Sequence, residues 1–298
     1  MVKIEIILAA TDLSNGSSPA IDRGFLLAQA NKAHYTIVHA TGLNILSELG
    51  EFLGKNMNEI STRISEQTKQ QLSDIVNASR NKADTHFELR LEDGRPNISI
   101  PAFARSSDSD LTLIGAHGSG FIQRTLLGST ASRLLRKSHC PVLVVKQDAY
   151  RDYNRVLIAI DFSSSSKPSI CLARTLAPKS NLILLHAYEV PFAGKMHQAG
   201  IDEDVIKQYQ EEAKTRAMHQ LHDLAKEAGL TSSAYTALVL PDNALKNVLQ
   251  TEEKYRCDLI VMGKHGTHVT EDLLLGSLTK RVLAESLCDV LVVVQGET

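Results

Sequence analysis

The stretch LIGAHGSGFIQRTLLGSTASRLL, which begins at Leu113, carries glycines and hydroxyls at a spacing suited to holding an anion. Gly115 and Gly118 bracket a tight turn, where the lack of a Cβ lets a ligand approach the backbone. After nine further residues, Gly128, Ser129 and Thr130 open a segment with helical periodicity. The unpaired N–H groups and dipole at such a helix start favour negative charge, and both hydroxyls can donate to phosphate oxygens. His117 lies inside the turn, where it can meet phosphate or ribose, or simply face solvent. Taken once, the pattern is equally a glycine turn followed by an N-capping serine.

The pattern occurs twice, however. DLIVMGKHG from Asp258 repeats DLTLIGAHG from Asp110, and LLGSLTKRVLAESLCDVLVV repeats LLGSTASRLLRKSHCPVLVV. Gly263, His265, Gly266, Gly276 and Ser277 thus restate the first set. Two further segments recur: IILAATD, ending at Asp12, as VLIAID, ending at Asp161, and YTIVHA, ending at Ala40, as LILLHA, ending at Ala187. The offset stays at roughly 147–149 residues, too long for a solenoid and right for a duplicated domain. The polar stretch KQDAYRDYNR separates the copies, so domains of 1–148 and 153–298 are expected.

Elements must place these residues together. Apolar strand candidates at Ile4–Ala10, Tyr35–Ala40, Thr85–Leu91, Leu111–Gly115 and Pro141–Lys146 alternate with helical patterns at Ser18–Asn31, Met57–Lys82, after Asn97 and after Gly128. The second half repeats the series with strands at Val156–Ile160, Leu182–Ala187, Ser233–Val239, Leu259–Gly263 and Val290–Val294, and a long helix at Asp202–Ala228. Such alternation predicts an α/β chain: two tandem doubly wound, Rossmann-like domains, each with a five-stranded parallel sheet covered on both faces. Ligands of such sheets bind beyond the carboxyl ends of the strands where strand order reverses. That geometry would set Asp12 opposite the Gly115 loop, and Asp161 opposite the Gly263 loop.

Several classes drop out. The chain has 298 residues, 43% hydrophobic and 22% charged, with a formal net charge of −2 and no basic stripe for nucleic acid. The N-terminal apolar run is too short for a signal segment or a membrane span, so a cytoplasmic protein is expected. Cys140, Cys171, Cys257 and Cys288 form no CxxC pair and read as reduced thiols rather than zinc ligands. GEFLGKN from Gly50 is too short for a Walker loop and ends in Asn56. GSGFIQ from Gly118 lacks the last glycine of the dinucleotide fingerprint.

Gly-x2-Gly-x9-Gly-Ser, together with the ATD and AID strand ends and the CPVLVV strand, resembles the universal stress protein family, and two copies resemble its tandem, E-type members. The resemblance covers almost the whole chain. It implies a regulatory, stress-related protein binding ATP, with Mg2+ as an optional companion. One site would comprise Asp12, Ala40, Gly115, His117, Gly118, Gly128, Ser129 and Thr130. The other would comprise Asp161, Ala187, Gly263, His265, Gly266, Gly276 and Ser277. In the family the early Asp lies at the adenosine end, the residue after LLH meets adenine through its backbone, and the glycine motif wraps ribose and phosphates. It implies too that the last strands of the two halves, apolar edges needing cover, pair with each other. A further dimer of whole chains stays undecided.

Catalysis has little support, since neither half offers a Walker-type lysine. Arg124 has Asp272 as its counterpart, and Arg133, Lys280 and Arg281 read as helix-surface residues. Binding with slow or no hydrolysis is therefore expected. The alternative is an interaction protein for a metal or another small ligand: His219 and His222 share a helix face at i, i+3, with His197 upstream. One departure marks the second half, where VLPDNALKN lacks the glycine found in EDGRPNISI.

Overall fold

Continuous Val, Ile and Leu runs leave a strand no polar face, so each needs cover on both sides. In the computed structural model that cover comes from two helical layers on one ten-stranded sheet. The structure describes residues 2–42, 58–79, 81–82, 85–116, 127–188, 199, 201–266 and 275–294.

The first half runs β1 (Ile6–Thr11), α1 (Ser18–Asn31), β2 (His34–Ala40), α2 (Asn58–Asn77), β3 (Phe87–Glu92), α3 (Pro96–Ser106), β4 (Leu111–Gly115), α4 (Ser129–Lys137) and β5 (Val142–Val145). The second runs β6 (Arg155–Ile160), α5 (Ser166–Leu176), β7 (Asn181–Tyr188), α6 (Glu203–Glu227), β8 (Tyr235–Pro241), α7 (Ala244–Tyr255), β9 (Leu259–Gly263), α8 (Ser277–Glu285) and β10 (Asp289–Val293). Strand order is β3-β2-β1-β4-β5-β10-β9-β6-β7-β8. Each half is thus a doubly wound α/β unit of parallel strands. Side chains of α1, α2, α5 and α6 fill one core, and those of α3, α4, α7 and α8 fill the core on the opposite face.

Repeated aspartates at the amino ends of β4 and β9 serve the fold. Asp110 accepts from the N–H groups of Glu5 (2.7 Å) and Ile6 (2.9 Å), and Asp258 from those of Asn154 (2.8 Å) and Arg155 (3.0 Å). Each carboxylate ties its strand to the start of the half's first strand, at the sheet end away from the glycine loops. α2 stops at Asn77 rather than Lys82, because the following residues bond elsewhere: Ser79 donates to Asp22, and Asn81 Nδ2 donates to Ala149 O at 2.7 Å.

The two halves meet where β5 runs antiparallel to β10, with Leu143 opposite Leu291. Beside this seam lies Asp289, fully buried. Its carboxylate accepts from Tyr153 Oη (2.6 Å) and from the N–H groups of Lys146 (2.8 Å) and Gln147 (3.1 Å). Arg23, itself only 5% exposed, lies 3.5 Å away and stacks on the Tyr153 ring, while its Nη1 donates to Arg151 O. Burial pushes the Asp289 carboxyl above its ordinary range, and Arg23 and the hydrogen bonds pull the other way. The segment joining the halves is therefore anchored by an acid from the last strand.

Candidate functional site

Strand order reverses between β1 and β4, which pair in parallel while their following segments leave for opposite faces. A cavity of about 360 Å³ opens there. Asp12 follows β1, Ala40 ends β2, Gly115 ends β4, and Gly128, Ser129 and Thr130 begin α4; all six line this cavity. His117 and Gly118 lie outside the described residues. The second half repeats the arrangement between β6 and β9, with a cavity of about 490 Å³. Asp161, Ala187, Gly263, His265, Gly266, Gly276 and Ser277 all line it.

Backbone geometry at the two helix starts is nearly identical. Gly128 sits at φ −55° and ψ 146°, Gly276 at −55° and 148°. Their own N–H groups are used, donating to Ala116 O and Lys264 O at 3.0 Å each. The first bonds within the helices are Ser132 N to Gly128 O (2.9 Å) and Lys280 N to Gly276 O (3.0 Å). The N–H groups of Ser129, Thr130 and Ala131, and of Ser277, Leu278 and Thr279, thus have no acceptor within their helices. A glycine N-cap has no side chain to supply one. Each cavity therefore receives the positive end of a helix dipole.

Opposite each helix start stands the carboxylate. Asp12 Oδ1 accepts from Ser14 N (3.1 Å) and Oγ (2.5 Å). Asp161 Oδ1 accepts from Ser163 N (3.0 Å), Ser163 Oγ (2.6 Å) and Ser166 Oγ (3.0 Å). These short-range bonds fix the orientation of each acid at its rim. A Cβ on Gly266 would lie 3.4 Å from Asp161 Oδ2, so turn and carboxylate are neighbours across the crevice.

Two sequence expectations change meaning. Gly115 is required by the protein itself, since a Cβ there would stand 2.6 Å from Gly16 O and 3.0 Å from Ser17 Cα. The loop before α1 occupies the space that the spacing had assigned to an approaching ligand. At Gly263 the obstruction to a Cβ is the side-chain oxygen Ser165 Oγ. The missing glycine of VLPDNALKN is also resolved. Gly94 takes φ +106° in the first half, and its counterpart Asp242 takes φ +56°. Aspartate tolerates this left-handed region better than most residues, and the next residue, Asn243, caps α7 by accepting from Lys246 N at 3.1 Å.

Other lining residues lack any chemical motif. Ile100, Ile114 and Leu134 make an apolar wall in the first cavity, and Val248 and Met262 in the second. His39 and His186 also line the cavities, and each Nδ1 donates to a carbonyl at the end of the neighbouring strand, Thr11 O at 2.9 Å and Ile160 O at 2.8 Å. Burial holds the His186 ring below the usual histidine range. Their recurrence one residue before Ala40 and Ala187 was the signal available in sequence. The cavities differ at α8, where Leu278 replaces Thr130, and Thr279 turns inward to donate to Gly263 O at 3.0 Å.

Among the described residues no group of three His, Cys, Asp or Glu side chains could hold a metal. His222 Nδ1 is bonded to Tyr235 Oη at 2.6 Å, and His197 lies outside the described residues. Arg281 pairs with Glu285 on the surface of α8, while Arg124 and Asp272 lie outside the described residues. The thiols are free, and burial pushes Cys257 up to about 12, which leaves it a poor nucleophile. Among the described residues no helix is long and apolar enough to cross a membrane.

A sequence profile of the universal stress protein family matches residues 3–146 and again 152–294. The chain belongs to the universal stress protein family. It is a tandem universal stress protein, and its relatives carry the same name. One from Mycobacterium tuberculosis is 27% identical over 194 residues, covering 63% of this chain and 62% of that one. The match therefore spans less than two thirds of that relative's length. One from Staphylococcus epidermidis is 30% identical over 150 residues, covering 50% of this chain and 87% of the relative. The crystal structure of a universal stress protein from Archaeoglobus fulgidus shares the fold over 98% of both chains, with a TM-score of 0.72 at 20% identity.

Proposed function

We propose that this universal stress protein binds an adenine nucleotide, ATP, in each half and acts as a regulatory binder rather than a catalyst. The observation that carries the reading is a doubled one: a rim carboxylate, an apolar wall and a glycine-capped helix start recur at both points of strand reversal. A helix start accepts phosphate, an apolar wall accepts a base, and a carboxylate accepts hydroxyl or amine donors. Cavities of about 360 and 490 Å³ are of the size that small-molecule ligands occupy. The described lining residues include neither Lys nor Arg, so Mg2+ travelling with the phosphates would offset their charge. This lining also argues for slow or no hydrolysis, which needs charge stabilisation on the transferred phosphoryl group.

On this reading Asp12, Ala40, Gly115, His117, Gly118, Gly128, Ser129 and Thr130 form one site. Asp161, Ala187, Gly263, His265, Gly266, Gly276 and Ser277 form the other. The domains span 1–148 and 153–298, and their pairing through β5 and β10 takes the place of a dimer of one-domain chains. A cytoplasmic location fits a protein that samples adenine nucleotides.

Nucleotide extraction from freshly purified protein, with mass spectrometry and a count per chain, tests the reading. Two adenine nucleotides per chain support it, and none, together with no ATP binding by calorimetry, sinks it. Phosphate release from Mg-ATP at ordinary enzyme rates, abolished by Gly128→Val, would replace the regulatory reading with a catalytic one.

A further inference from the structure

Two lysines cross between the halves, and both end on the helices whose starts face the cavities. Lys264 follows β9 and is 4% exposed. Its Nζ donates to Arg136 O at 2.8 Å and Ser138 O at 3.4 Å, at the carboxyl end of α4 in the other half. Lys146 follows β5, and its Nζ donates to Ser286 O and Ser286 Oγ, both at 2.8 Å, at the carboxyl end of α8. The duplication does not account for either contact, since the counterpart of Lys264 is Ala116 and that of Lys146 is Val294.

Each lysine is also wired to the cavity of its own half. Lys264 lies between the lining residues Gly263 and His265, and its carbonyl accepts from Gly276 N, the N-cap of α8, at 3.0 Å. Val145, just before Lys146, accepts at 3.0 Å from the N–H of Ala116, which lines the first cavity, and Ala116 O in turn accepts from Gly128 N. The connections form a ring. The second cavity reaches the carboxyl end of α4 through Lys264, α4 starts at the first cavity, the first cavity reaches the carboxyl end of α8 through Lys146, and α8 starts at the second.

We propose that Lys264 and Lys146 are positioning residues exchanged between the halves, each holding the helix that faces the other half's ligand, so that occupancy of one cavity changes affinity in the other. This rests on the ligand-binding reading above. The physics is that of one dipole with two ends. A cation at the last carbonyls and an anion at the first N–H groups both favour the same helix, so each strengthens the placement the other needs. α4 has nine residues and is about 13 Å long, short enough to move as a rigid rod between its two contacts.

The test uses the full chain and ATP as probe. Ser277→Glu places a negative charge at the start of α8 and closes the second cavity, leaving the first to be titrated by calorimetry. In that background Lys264→Met is expected to weaken ATP binding in the first cavity about fivefold, the lower end of typical coupling between sites. Lys264→Arg, which keeps the donors, is expected to restore it. In the parent chain, the mutual dependence of the two sites is expected to weaken in Lys264→Met and to vanish when Lys146→Met is added, since each lysine carries one of the two cross-links. Unchanged affinity in the first cavity alongside a lowered melting temperature would overturn the proposal and leave Lys264 a purely structural residue.

A ligand-free readout separates this from the nucleotide reading. If the parent chain binds no ATP, that reading falls, and Lys264 is judged by amide hydrogen exchange alone. Faster exchange at Ser132–Arg136 in Lys264→Met, with Arg281–Glu285 unaffected, supports the positioning role. Unaltered exchange in α4 refutes it.

Discussion

Replacing Gly115 by alanine brings a Cβ to 2.6 Å from Gly16 O, 3.0 Å from Ser17 Cα and 3.3 Å from Gly16 C. All three atoms are backbone, so the loop before α1 must move as a unit. Overlap of this kind costs about 1–3 kcal/mol. The same exchange narrows the unfolded ensemble, which offsets about 0.4–1 kcal/mol. A net loss of about 1–2 kcal/mol is expected, or a fall in melting temperature of roughly 2–8 °C at about 2–4 °C per kcal/mol. Gly263→Ala supplies the internal control. Its severe contact is with Ser165 Oγ, a side-chain atom bonded to Ser163 Oγ at 2.9 Å, while His265 O stands at a milder 3.1 Å. Adding Ser165→Ala should therefore recover most of the stability lost in Gly263→Ala. Adding Ser17→Ala to Gly115→Ala should recover none of it, because the clash there is with backbone. Urea unfolding of the four variants and the parent chain measures each step. Rescue of Gly115→Ala by Ser17→Ala, or failure of Ser165→Ala to rescue Gly263→Ala, would refute the steric account of these glycines.

Asp289→Ala strands Arg23 in a buried site, and a loss of about 3–5 kcal/mol in urea unfolding is expected, with Asp289→Asn milder because it keeps an acceptor for Lys146 N and Gln147 N. Lys146 should carry a pH signature: burial lowers it from 10.5 to about 8, so between these values the unfolded chain binds more protons than the folded one. Stability relative to Lys146→Met should then be greatest above pH 10.5 and fall as pH drops through 8, by about 1–3 kcal/mol after allowance for partial exposure; parallel curves for the two proteins would contradict this. Thr130→Leu copies the second cavity into the first and removes one hydroxyl donor from the start of α4. Calorimetry should show ATP affinity in the first cavity falling about tenfold, as for loss of a hydrogen bond to a charged group, with adenosine affinity unchanged.

The fold was legible wherever apolar residues ran unbroken. Leu111–Gly115 and Leu259–Gly263 are strands with the predicted bounds, and Ser18–Asn31 is a helix with the predicted bounds, because burial on both sheet faces demands such runs. The crevices were legible for a related reason: duplication marked the residues at the strand ends, and parallel topology gathers those ends. What eluded the sequence was whatever does not repeat. Asp289 stands where the first half has Pro141, and Lys264 where it has Ala116, so comparing the copies discards both as noise. Gly115 eluded it differently, since a glycine spaced for a ligand and a glycine spaced for a neighbouring loop look the same in one dimension.

The seam between β5 and β10 has a consequence for synthesis at the ribosome. β5 is buried along its whole length in the finished protein, yet the strand that covers its open edge emerges only after almost half the chain has followed. At common translation rates that interval is on the order of ten seconds. During it the nascent first half presents an apolar strand with unpaired backbone groups, the kind of edge to which other chains add. Pro141, with no N–H to offer, and Lys146, with its charge, flank the exposed run Val142–Val145. They limit how far a foreign strand can pair before the chain's own last strand arrives.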